Sequence, residues 1–346
     1  MERYPMNTTD YILEQLQNLI SIDSPSGFTH KAAQYVIEEL TRLGYQPQQT
    51  AKGGVLCALG GKEGEGLLMS AHIDTLGAMV AEVKENGRLR LSPVGGMQAN
   101  NGEAETCRIY TRGGKVYDGT LQLINPSVHV NEDYKTIQRT FDTTEVVIDE
   151  KTKSKAETKA LGIGNGDFVC FDPRFIRTAS GYIKSRFLDD KLSVAILLGY
   201  AKSLREENLT PARPTYLHIT VFEEVGHGGS ASIPAGVTEM LCVDMGCVGD
   251  GLECDETMVS ICVKDKNGPS NYEMTSRLIA LAKEKGIPYA ADVYPFYGSD
   301  ADSALAAGHD LRHALIGAGV YVSHGYERTH LEGVQATYDL IRAYTL

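Results

Sequence analysis

Several common features are absent from this sequence of 346 residues, and each absence excludes a class of protein. No run approaches the roughly 20 apolar residues that a bilayer-spanning helix needs. Lys and Arg total 33 against 45 Asp and Glu, and the net charge of −12 argues against a nucleic-acid-binding surface. The N-terminal stretch MERYPMNTTDYILEQL lacks a basic region followed by an apolar core. We therefore expect no signal peptide, and the default location is cytoplasmic.

Paired cysteine motifs and internal repeats are also missing. The seven cysteines are scattered without a CxxC pair, which predicts buried reduced thiols rather than disulfides or metal ligands. The longest stretch rich in basic residues, 149–160, has mixed charge and predicts a solvated loop. The acidic excess is compatible with cationic partners, including metal ions and protonated amines, and the sequence predicts no nucleic-acid or membrane partner.

Alternating helix and strand patterns predict an α/β fold that a β-rich insert interrupts. Residues 8–44 carry two amphipathic helix patterns, and GLLMSAHIDT at 66–75 is a short apolar strand with a polar end. Short alternating runs follow, and their ENG and RGGK turns are typical of hairpins. Strand–helix alternation then resumes, which predicts a sheet with helices on both faces. We assign 1–76 and 179–346 to a main domain and 77–178 to an inserted all-β domain.

Polar side chains that could bind metal or transfer protons follow several of the predicted strands. Ligands collect at the carboxyl ends of strands in open α/β sheets, so we expect these side chains to converge. None is a thiolate, and histidines with carboxylates suit a hydrolytic zinc, cobalt or manganese centre better than a closed structural zinc site. The strand-end candidates are His72, Asp74, Asp189, Asp190, Glu223, Glu224, Asp244 and His324.

The stretch VFEEVGHGG at 221–229 carries the most specific signal. Two adjacent carboxylates at the end of an apolar strand repel each other, and burying them is costly unless a cation compensates their charge. Two cations about 3.5–4 Å apart that share a carboxylate can bind a hydroxide between them, polarise a carbonyl and hold a leaving amine. A neighbouring glutamate can then move the proton from water to the leaving nitrogen.

Several of the motifs also have a purely structural interpretation when each is taken alone. His72 and Asp74 form a histidine–carboxylate pair of a kind that is common in cores and on surfaces. Asp189 and Asp190 suit the N-terminus of a helix, where acidic side chains are favoured. His227 suits an ordinary loop residue.

Two further segments leave alternatives open. In GSDADS, Asp300 and Asp302 could cap the following helix or contact the free amine of a substrate. The segment SHGYERTH offers two histidines, His324 and His330, as a last ligand. We favour His324, because it directly follows the apparent strand ALIGAGVYV.

These pieces resemble the dinuclear-metal aminopeptidases, which include glutamyl aminopeptidase, deblocking aminopeptidases and the tetrahedral self-compartmentalising (TET) peptidases. The motifs VFEEVG, VDMG and GSDADSALAAG follow in the family's order, and the resemblance runs along nearly the whole chain. AHIDTLGAMVAEVKENGRLRLSPVGG is similar to the family's passage into its β-insert, and GNGDFVCFDPRFIRTASGYIKSRFLDDKLSVA to the return from it. The resemblance implies a mixed-sheet catalytic domain like that of the co-catalytic zinc exopeptidases, with a small inserted β-barrel for dimerisation or assembly.

The resemblance also implies a role for each candidate. Glu223 is the expected general base, and Asp74 is expected to orient His72. Asp189 is expected to bridge both ions next to a strained peptide bond to Asp190. The expected ligands of two divalent ions are His72, Asp189, Glu224, Asp244 and His324. The candidates for substrate binding are Asp300, Asp302 and His227.

The expected function is that of a metal-dependent aminopeptidase, a homo-oligomer of two to twelve subunits. It would remove the N-terminal residue of peptides with two divalent ions (zinc, or else cobalt or manganese), a bridging hydroxide and a glutamate base. Two alternatives stay open: a metal-dependent deacylase or amidohydrolase acting on a non-peptide amide, and a catalytically inactive assembly protein of the same fold. The segment HGGSAS stands where many members carry an arginine-containing turn, which affects the expected substrate pocket more than the metals.

Overall fold

A computed structural model describes residues 7–346 and divides the chain into two compact units. Unit 1 consists of Met1–Asp74 and Arg174–Leu346, and unit 2 is Thr75–Pro173. The insert predicted from the sequence spans 77–178. Residues 1–6, which begin the predicted main domain and the N-terminal stretch tested for a signal peptide, lie outside the described residues.

The helices of the described chain include both short and long segments. In chain order they are α1 (Thr8–Ile20), α2 (His30–Arg42), α3 (Ala99–Gly102), α4 (Lys155–Ala160), α5 (Leu188–Glu206), α6 (Tyr272–Lys285), α7 (Asp300–Ala306) and α8 (Leu331–Thr345). Two short 3-10 segments lie at Glu132–Lys135 and Gly228–Ser230. Gly286 ends α6 in the left-handed conformation, which glycine adopts readily.

The strands are short and belong to one open sheet and one barrel. In chain order they are β1 (Gln48–Gln49), β2 (Val55–Gly60), β3 (Gly66–His72), β4 (Gly77–Val83), β5 (Leu89–Val94), β6 (Thr106–Tyr110), β7 (Val116–Leu123), β8 (Thr144–Ile148), β9 (Phe168–Phe171), β10 (Ile176–Arg177), β11 (Tyr182–Ser185), β12 (Thr215–Thr220), β13 (Val237–Val243), β14 (Gly246–Val248), β15 (Val259–Lys264), β16 (Tyr289–Val293), β17 (Arg312–Tyr321) and β18 (Glu327–His330).

Unit 1 is built on a 12-stranded mixed sheet with the main order β1-β2-β12-β3-β13-β17-β18-β11-β10. The four central strands β12, β3, β13 and β17 are parallel. All seven residues of β3 are buried, as is typical of a central parallel strand covered on both faces. Because these strands run in one direction, the residues that follow β3, β12 and β13 meet at one edge of the sheet.

Helix α1 packs closely on α5. A Cβ atom added at Gly199 of α5 would lie 2.4 Å from Ile12 Cγ1 of α1, so the absent side chain permits the short distance between the helices. α1 buries its apolar stripe, which includes Ile12, Leu16 and Leu19. Burial of this stripe packs α1 against α5, the helix whose N-terminus carries Asp189 and Asp190. Within residues 7–346, no helix is both long enough and apolar enough to cross a bilayer.

Unit 2 is a closed six-stranded barrel with the order β4-β5-β8-β7-β6-β9. The ENG turn joins β4 to β5, and the RGGK turn joins β6 to β7, so both predicted hairpins are confirmed. The prediction of a loop at 149–160 was wrong in its second half, which forms α4. Ser154 accepts a hydrogen bond from the backbone N–H of Glu157, and the Glu157 carboxylate accepts one from the backbone N–H of Lys153. These two contacts start a helix whose residues stay mostly exposed.

Candidate metal centre

His72 ends β3 and is 2% exposed. Its Nδ1 lies 2.9 Å from the backbone carbonyl oxygen of Asp74, which can only accept a hydrogen bond. The other ring nitrogen, Nε2, lies 3.0 Å from Asp189 Oδ1. When Nδ1 donates to the carbonyl, Nε2 carries a lone pair directed at a carboxylate oxygen. Two facing acceptors need either a proton or a metal ion between them.

Asp189 presents one carboxylate oxygen to each of two histidines. Oδ1 faces His72, and Oδ2 lies 3.4 Å from His324 Nε2. Phe187, with φ of 67°, turns the chain into α5, and the peptide bond between Asp189 and Asp190 is cis. The segments that carry the two histidines are far apart in sequence, and the Asp189 carboxylate lies between their side chains.

Glu223 and Glu224 lie in a turn that begins once β12 has ended at Thr220. The apolar run in the sequence continues to Phe222, but Phe222 has φ of 73° and already belongs to the turn. Glu223 Oε2 lies 3.7 Å from Nε2 of His72, and Glu224 Oε2 lies 3.6 Å from His324 Nε2. The Glu223 carboxylate thus lies within 4 Å of His72, and the Glu224 carboxylate is closer to His324 than to His72.

The Asp74 carboxylate holds this turn through hydrogen bonds to its backbone. Its Oδ1 accepts a hydrogen bond from the backbone N–H of Glu223 at 3.1 Å, and its Oδ2 accepts one from the backbone N–H of Glu224 at 3.3 Å. The hydroxyl of Ser26 also donates to Oδ2. The carboxylate is 3.7 Å from His72 Nδ1, so the shorter contact to the ring comes from the Asp74 carbonyl group. Asp74 therefore contacts both the histidine and the glutamate pair.

Asp244 follows β13 directly, and its Oδ2 lies 3.9 Å from His72 Nε2. Its other oxygen, Oδ1, accepts a hydrogen bond from the backbone N–H of Met245 at 2.6 Å. A Cβ atom at Gly317 in β17 would lie 1.5 Å from the Asp244 carbonyl oxygen. The absence of a side chain at this glycine lets the backbone of Asp244 lie close to β17.

The electrostatics of this cluster show an excess of buried negative charge. Burial raises the pKa of Glu223 and of Glu224, and nearby Asp189 raises that of Glu224 further. Burial, then the charge of Asp189, raises the pKa of Asp244 to about 7. Burial alone would lower the pKa of His72, but its hydrogen bond to Asp189 and the charges of neighbouring carboxylates raise it well above the ordinary value. Each shift has the direction that burial and crowded negative charge produce.

The donor set fits divalent cations. One oxygen of Glu224 and one of Asp190 are buried without a hydrogen-bond partner. Two triads each bring their donor atoms within 4.8 Å of one another: His72 with Asp190 and Asp244, and His72 with Asp189 and Glu224. Buried carboxylate oxygens are costly without a partner, and divalent ions supply one. Histidine and carboxylate donors without thiolate are those of hydrolytic metal sites.

The remaining predicted residues lie around this cluster in different settings. Asp300 is 4% exposed, and its carboxylate accepts a hydrogen bond from the Thr220 hydroxyl. Asp302 caps α7, because its carboxylate accepts from the backbone N–H of Ser299 in a capping box. His227 is exposed, and its ring stacks on Phe222 at 5.0 Å.

The His330 side chain contacts a different part of the chain from the His324 side chain. Its Nε2 lies 2.9 Å from the Ser180 carbonyl oxygen, and its Nδ1 accepts a hydrogen bond from the backbone N–H of Glu332 at the start of α8. Its ring is therefore used in capping a helix. Of the two histidines in SHGYERTH, the one near Asp189 is His324.

The expected ligand set omits two buried carboxylates at the cluster: Asp190, which is one of the strand-end candidates, and Glu327, which is not. Asp190 Oδ2 accepts a hydrogen bond from the backbone N–H of His72 at 3.2 Å. Glu327 accepts from the backbone N–H groups of Asp189 and His324. For Glu327, the H-x-x-E spacing after His324 is the signal that could have indicated a place near that histidine.

A cleft of about 1040 Å³ opens on the cluster. Its lining residues include Asp189, Glu223 and Asp244 from the cluster, together with Lys266 and Asp302. The volume suits a short segment of peptide, and the acidic lining residues suit a protonated amine.

Comparison with known proteins identifies the family. The profile of the M42 glutamyl aminopeptidase family matches residues 53–340. The chain belongs to this family. M42 members are metal-dependent aminopeptidases, so the protein is an aminopeptidase that hydrolyses peptide bonds. YhfE of Bacillus subtilis (strain 168), whose name assigns it provisionally to the aminopeptidases, is 42% identical over 98% of both chains.

Solved structures share the fold. An aminopeptidase from Desulfurococcus kamchatkensis superposes with a TM-score of 0.85 and 22% identity, over 97% of this chain and 94% of that one. The TET1 peptidase of Pyrococcus horikoshii gives a TM-score of 0.83 and 23% identity, over 96% of this chain and 98% of that one. That peptidase can assemble into a tetrahedron or a large octahedral shell. This M42 protein therefore has the predicted zinc-exopeptidase-like fold.

Proposed function

We propose that this M42 protein is a two-metal aminopeptidase whose ions share Asp189. The observation that carries the proposal is the position of that carboxylate, with one oxygen 3.0 Å from His72 Nε2 and the other 3.4 Å from His324 Nε2. Asp244 would complete the ligand set around His72, and Glu224 would complete the ligand set around His324. One carboxylate between two histidines, each with a further acid nearby, suits a pair of ions better than a single one.

Zinc is the ion that we propose, with cobalt or manganese as substitutes that the same donors accept. When bound, a divalent pair supplies Lewis-acid polarisation of the scissile carbonyl and a lowered pKa for water. The acidic residues that line the cleft attract the protonated N-terminus of a peptide. Asp74 holds the turn that carries Glu223 and orients His72 through its carbonyl oxygen.

Glu223 is the group that we propose as general base. Its side chain is 15% exposed and lines the cleft, so a substrate and its attacking water can reach it. Glu223 takes a proton from the attacking water and returns it to the departing amide nitrogen.

Glu223→Gln tests the base assignment. We expect the variant to retain its divalent ions and to lose aminopeptidase activity by several orders of magnitude, because the amide cannot accept the proton. Metal content and kcat on aminoacyl anilides are the measurements. Glu253→Gln, in the same unit but outside the cluster, serves as the control. Turnover of Glu223→Gln at the wild-type rate would refute the assignment.

A substrate panel separates peptide from non-peptide chemistry. Aminoacyl anilides and dipeptides carry a free amine, whereas N-acyl amino acids do not. An aminopeptidase is expected to hydrolyse the first two at least 100-fold faster than the third. A preference for N-acyl amino acids would indicate the deacylase alternative with the same metal centre. Hydrolysis of none of the three by the zinc-loaded protein would favour the inactive assembly protein.

Unit 2 is proposed as the part through which the protein forms homo-oligomers. The TET1 relative forms shells, and unit 2 of this chain exposes Val128 by 56% and Val130 by 73%. Exposed apolar side chains of this kind are typical of contact surfaces. Light scattering should give a mass of at least two subunits for the wild type, and a lower mass for Val128→Lys with Val130→Lys. A monomeric wild type would overturn this proposal.

A further inference from the structure

Glu327 is a buried acid that lies beside the metal centre. It begins β18, is 2% exposed, and stands opposite Ser185 where β18 pairs with β11. The chain leaves β11 at Ser185 and reaches α5 three residues later. The strand pairing therefore brings the Glu327 carboxylate to the segment that carries Asp189.

The carboxylate of Glu327 joins the backbones of two candidate ligands. Its Oε2 accepts a hydrogen bond from the backbone N–H of Asp189 at 3.1 Å. Its Oε1 accepts one from the backbone N–H of His324 at 3.2 Å. A carboxylate is planar and rigid, so two N–H groups bound to its two oxygens are kept at a set separation.

The backbone of His324 is in a conformation that needs such support. Its φ is 64°, in the left-handed region that residues with a Cβ atom seldom adopt. Val322, two residues earlier, has φ of 63°, and the backbone N–H of Gly325 donates to its carbonyl oxygen at 2.9 Å. Left-handed non-glycine residues persist when their surroundings hold them in place. At His324, the bond to Glu327 is one such restraint.

We propose that Glu327 is a positioning residue of the metal centre, fixing Asp189 and His324 at the separation at which their side chains share an ion. Both of its oxygens accept from backbone N–H groups, so it acts behind the ligands and belongs to neither candidate triad. The inference rests on the proposed metal site. It predicts that the affinity for metal depends on a residue that touches neither metal nor substrate.

Glu327→Gln tests the inference through cobalt binding to metal-free full-length protein. The amide can accept from only one of the two N–H groups and turns its own N–H₂ toward the other. We expect 10- to 100-fold weaker Co²⁺ binding and an altered visible absorption spectrum of bound cobalt. Glu239→Gln is the matched control, because Glu239 is also a buried, multiply bonded glutamate of unit 1, but lies away from the cluster. The control should bind Co²⁺ within twofold of the wild type.

The outcomes separate the two proposals. Wild-type protein that binds no Co²⁺ would overturn the proposed metal site itself. Wild type that binds Co²⁺, together with Glu327→Gln at the same affinity and with the same spectrum, would overturn only the role of Glu327. Equal losses of Co²⁺ affinity in Glu327→Gln and Glu239→Gln would also overturn the role of Glu327, since general destabilisation would then explain both. Should Glu327→Gln not fold, Glu327→Asp decides: its shorter carboxylate should reach one N–H and lower the affinity at least threefold, and wild-type affinity would count against the role.

Discussion

The backbone N–H of Glu223 donates a hydrogen bond to Asp74 Oδ1 at 3.1 Å. The proposed general base is therefore held through its main chain by an acid 149 positions earlier in the sequence. Asp74 is 0% exposed, so this contact competes little with water. It leaves the Glu223 side chain free to face the cleft while the turn beneath it is held.

Asp74→Asn is expected to lower kcat/KM by about 10- to 100-fold, since one of the two N–H groups of the turn then faces an amide N–H₂. Asp292→Asn is a matched control, because Asp292 also accepts from two adjacent backbone N–H groups, those of Glu253 and Cys254, outside the cluster. The control should lose stability but keep kcat/KM within twofold. Similar kinetic losses in the two variants would show that the Asp74 effect is not specific to the site.

Removal of divalent ions is expected to abolish activity and to lower the melting temperature by roughly 5 °C, because ions that bind only the folded chain stabilise it. Carboxylates with little exposed side chain, such as Glu224 at 4%, would then repel their neighbours without compensation. Calorimetry before and after chelation, with zinc added back, makes the measurement. A melting temperature and activity that do not change on chelation would contradict the proposed centre.

Asp244→Asn should weaken the binding of one of the two proposed ions at least tenfold and leave the other ion bound. The reason is that Asp244 lies on the His72 side of Asp189. Metal analysis after gel filtration is expected to give close to one ion per subunit, against two for the wild type. Asp310→Asn, at an exposed position, is the control. Two tightly held ions in Asp244→Asn would show that Asp244 is not a ligand.

We expect the Glu239 carboxylate to make the free energy of unfolding depend on pH below about pH 5. Burial alone would raise its pKa, but hydrogen bonds from Arg213 and Tyr344 and the nearby arginine charges lower it to about 2. The folded pKa is below the unfolded value of about 4.3. The stabilisation is therefore present above pH 4–5 and is lost as the pH falls toward 2.

Glu239→Gln is the variant that tests this dependence. At pH 7 it should lower the free energy of unfolding by about 2–3 kcal/mol, and this difference should shrink between pH 5 and pH 3. Urea unfolding of chelated protein makes the measurement without a contribution from bound metal. Glu332→Gln, with a side chain that is 70% exposed, is the control. A difference that stays constant from pH 7 to pH 3 would show that the ionised Glu239 carboxylate is not its source.

Much of the fold was predictable because local patterns and tertiary packing agree. β3 is an unbroken apolar run with a polar end, and the hairpins of unit 2 carry glycine turns at the places that a barrel needs. The strand-end rule likewise brings His72, Glu223 and Asp244 together, since β3, β12 and β13 are parallel. These residues could be identified from the sequence because each lies at or just after the end of a recognisable strand.

The supporting contacts were not predictable, because they join backbone groups across long stretches of chain. The H-x-x-E spacing relates Glu327 to His324, but no feature of the sequence relates its carboxylate to the backbone of Asp189, 138 positions away. The early end of β12 was missed for a similar reason: Phe222 is apolar like the strand before it, yet it adopts a left-handed φ in the turn. Periodicity reports which face is buried, whereas backbone contacts depend on the folded pairing of distant segments.

The Asp189 carboxylate presents one oxygen toward each proposed ion, so the binding of both ions depends on the same group. Loss of its charge is therefore expected to weaken the binding of both ions, whereas loss of the Asp244 charge should weaken the binding of one.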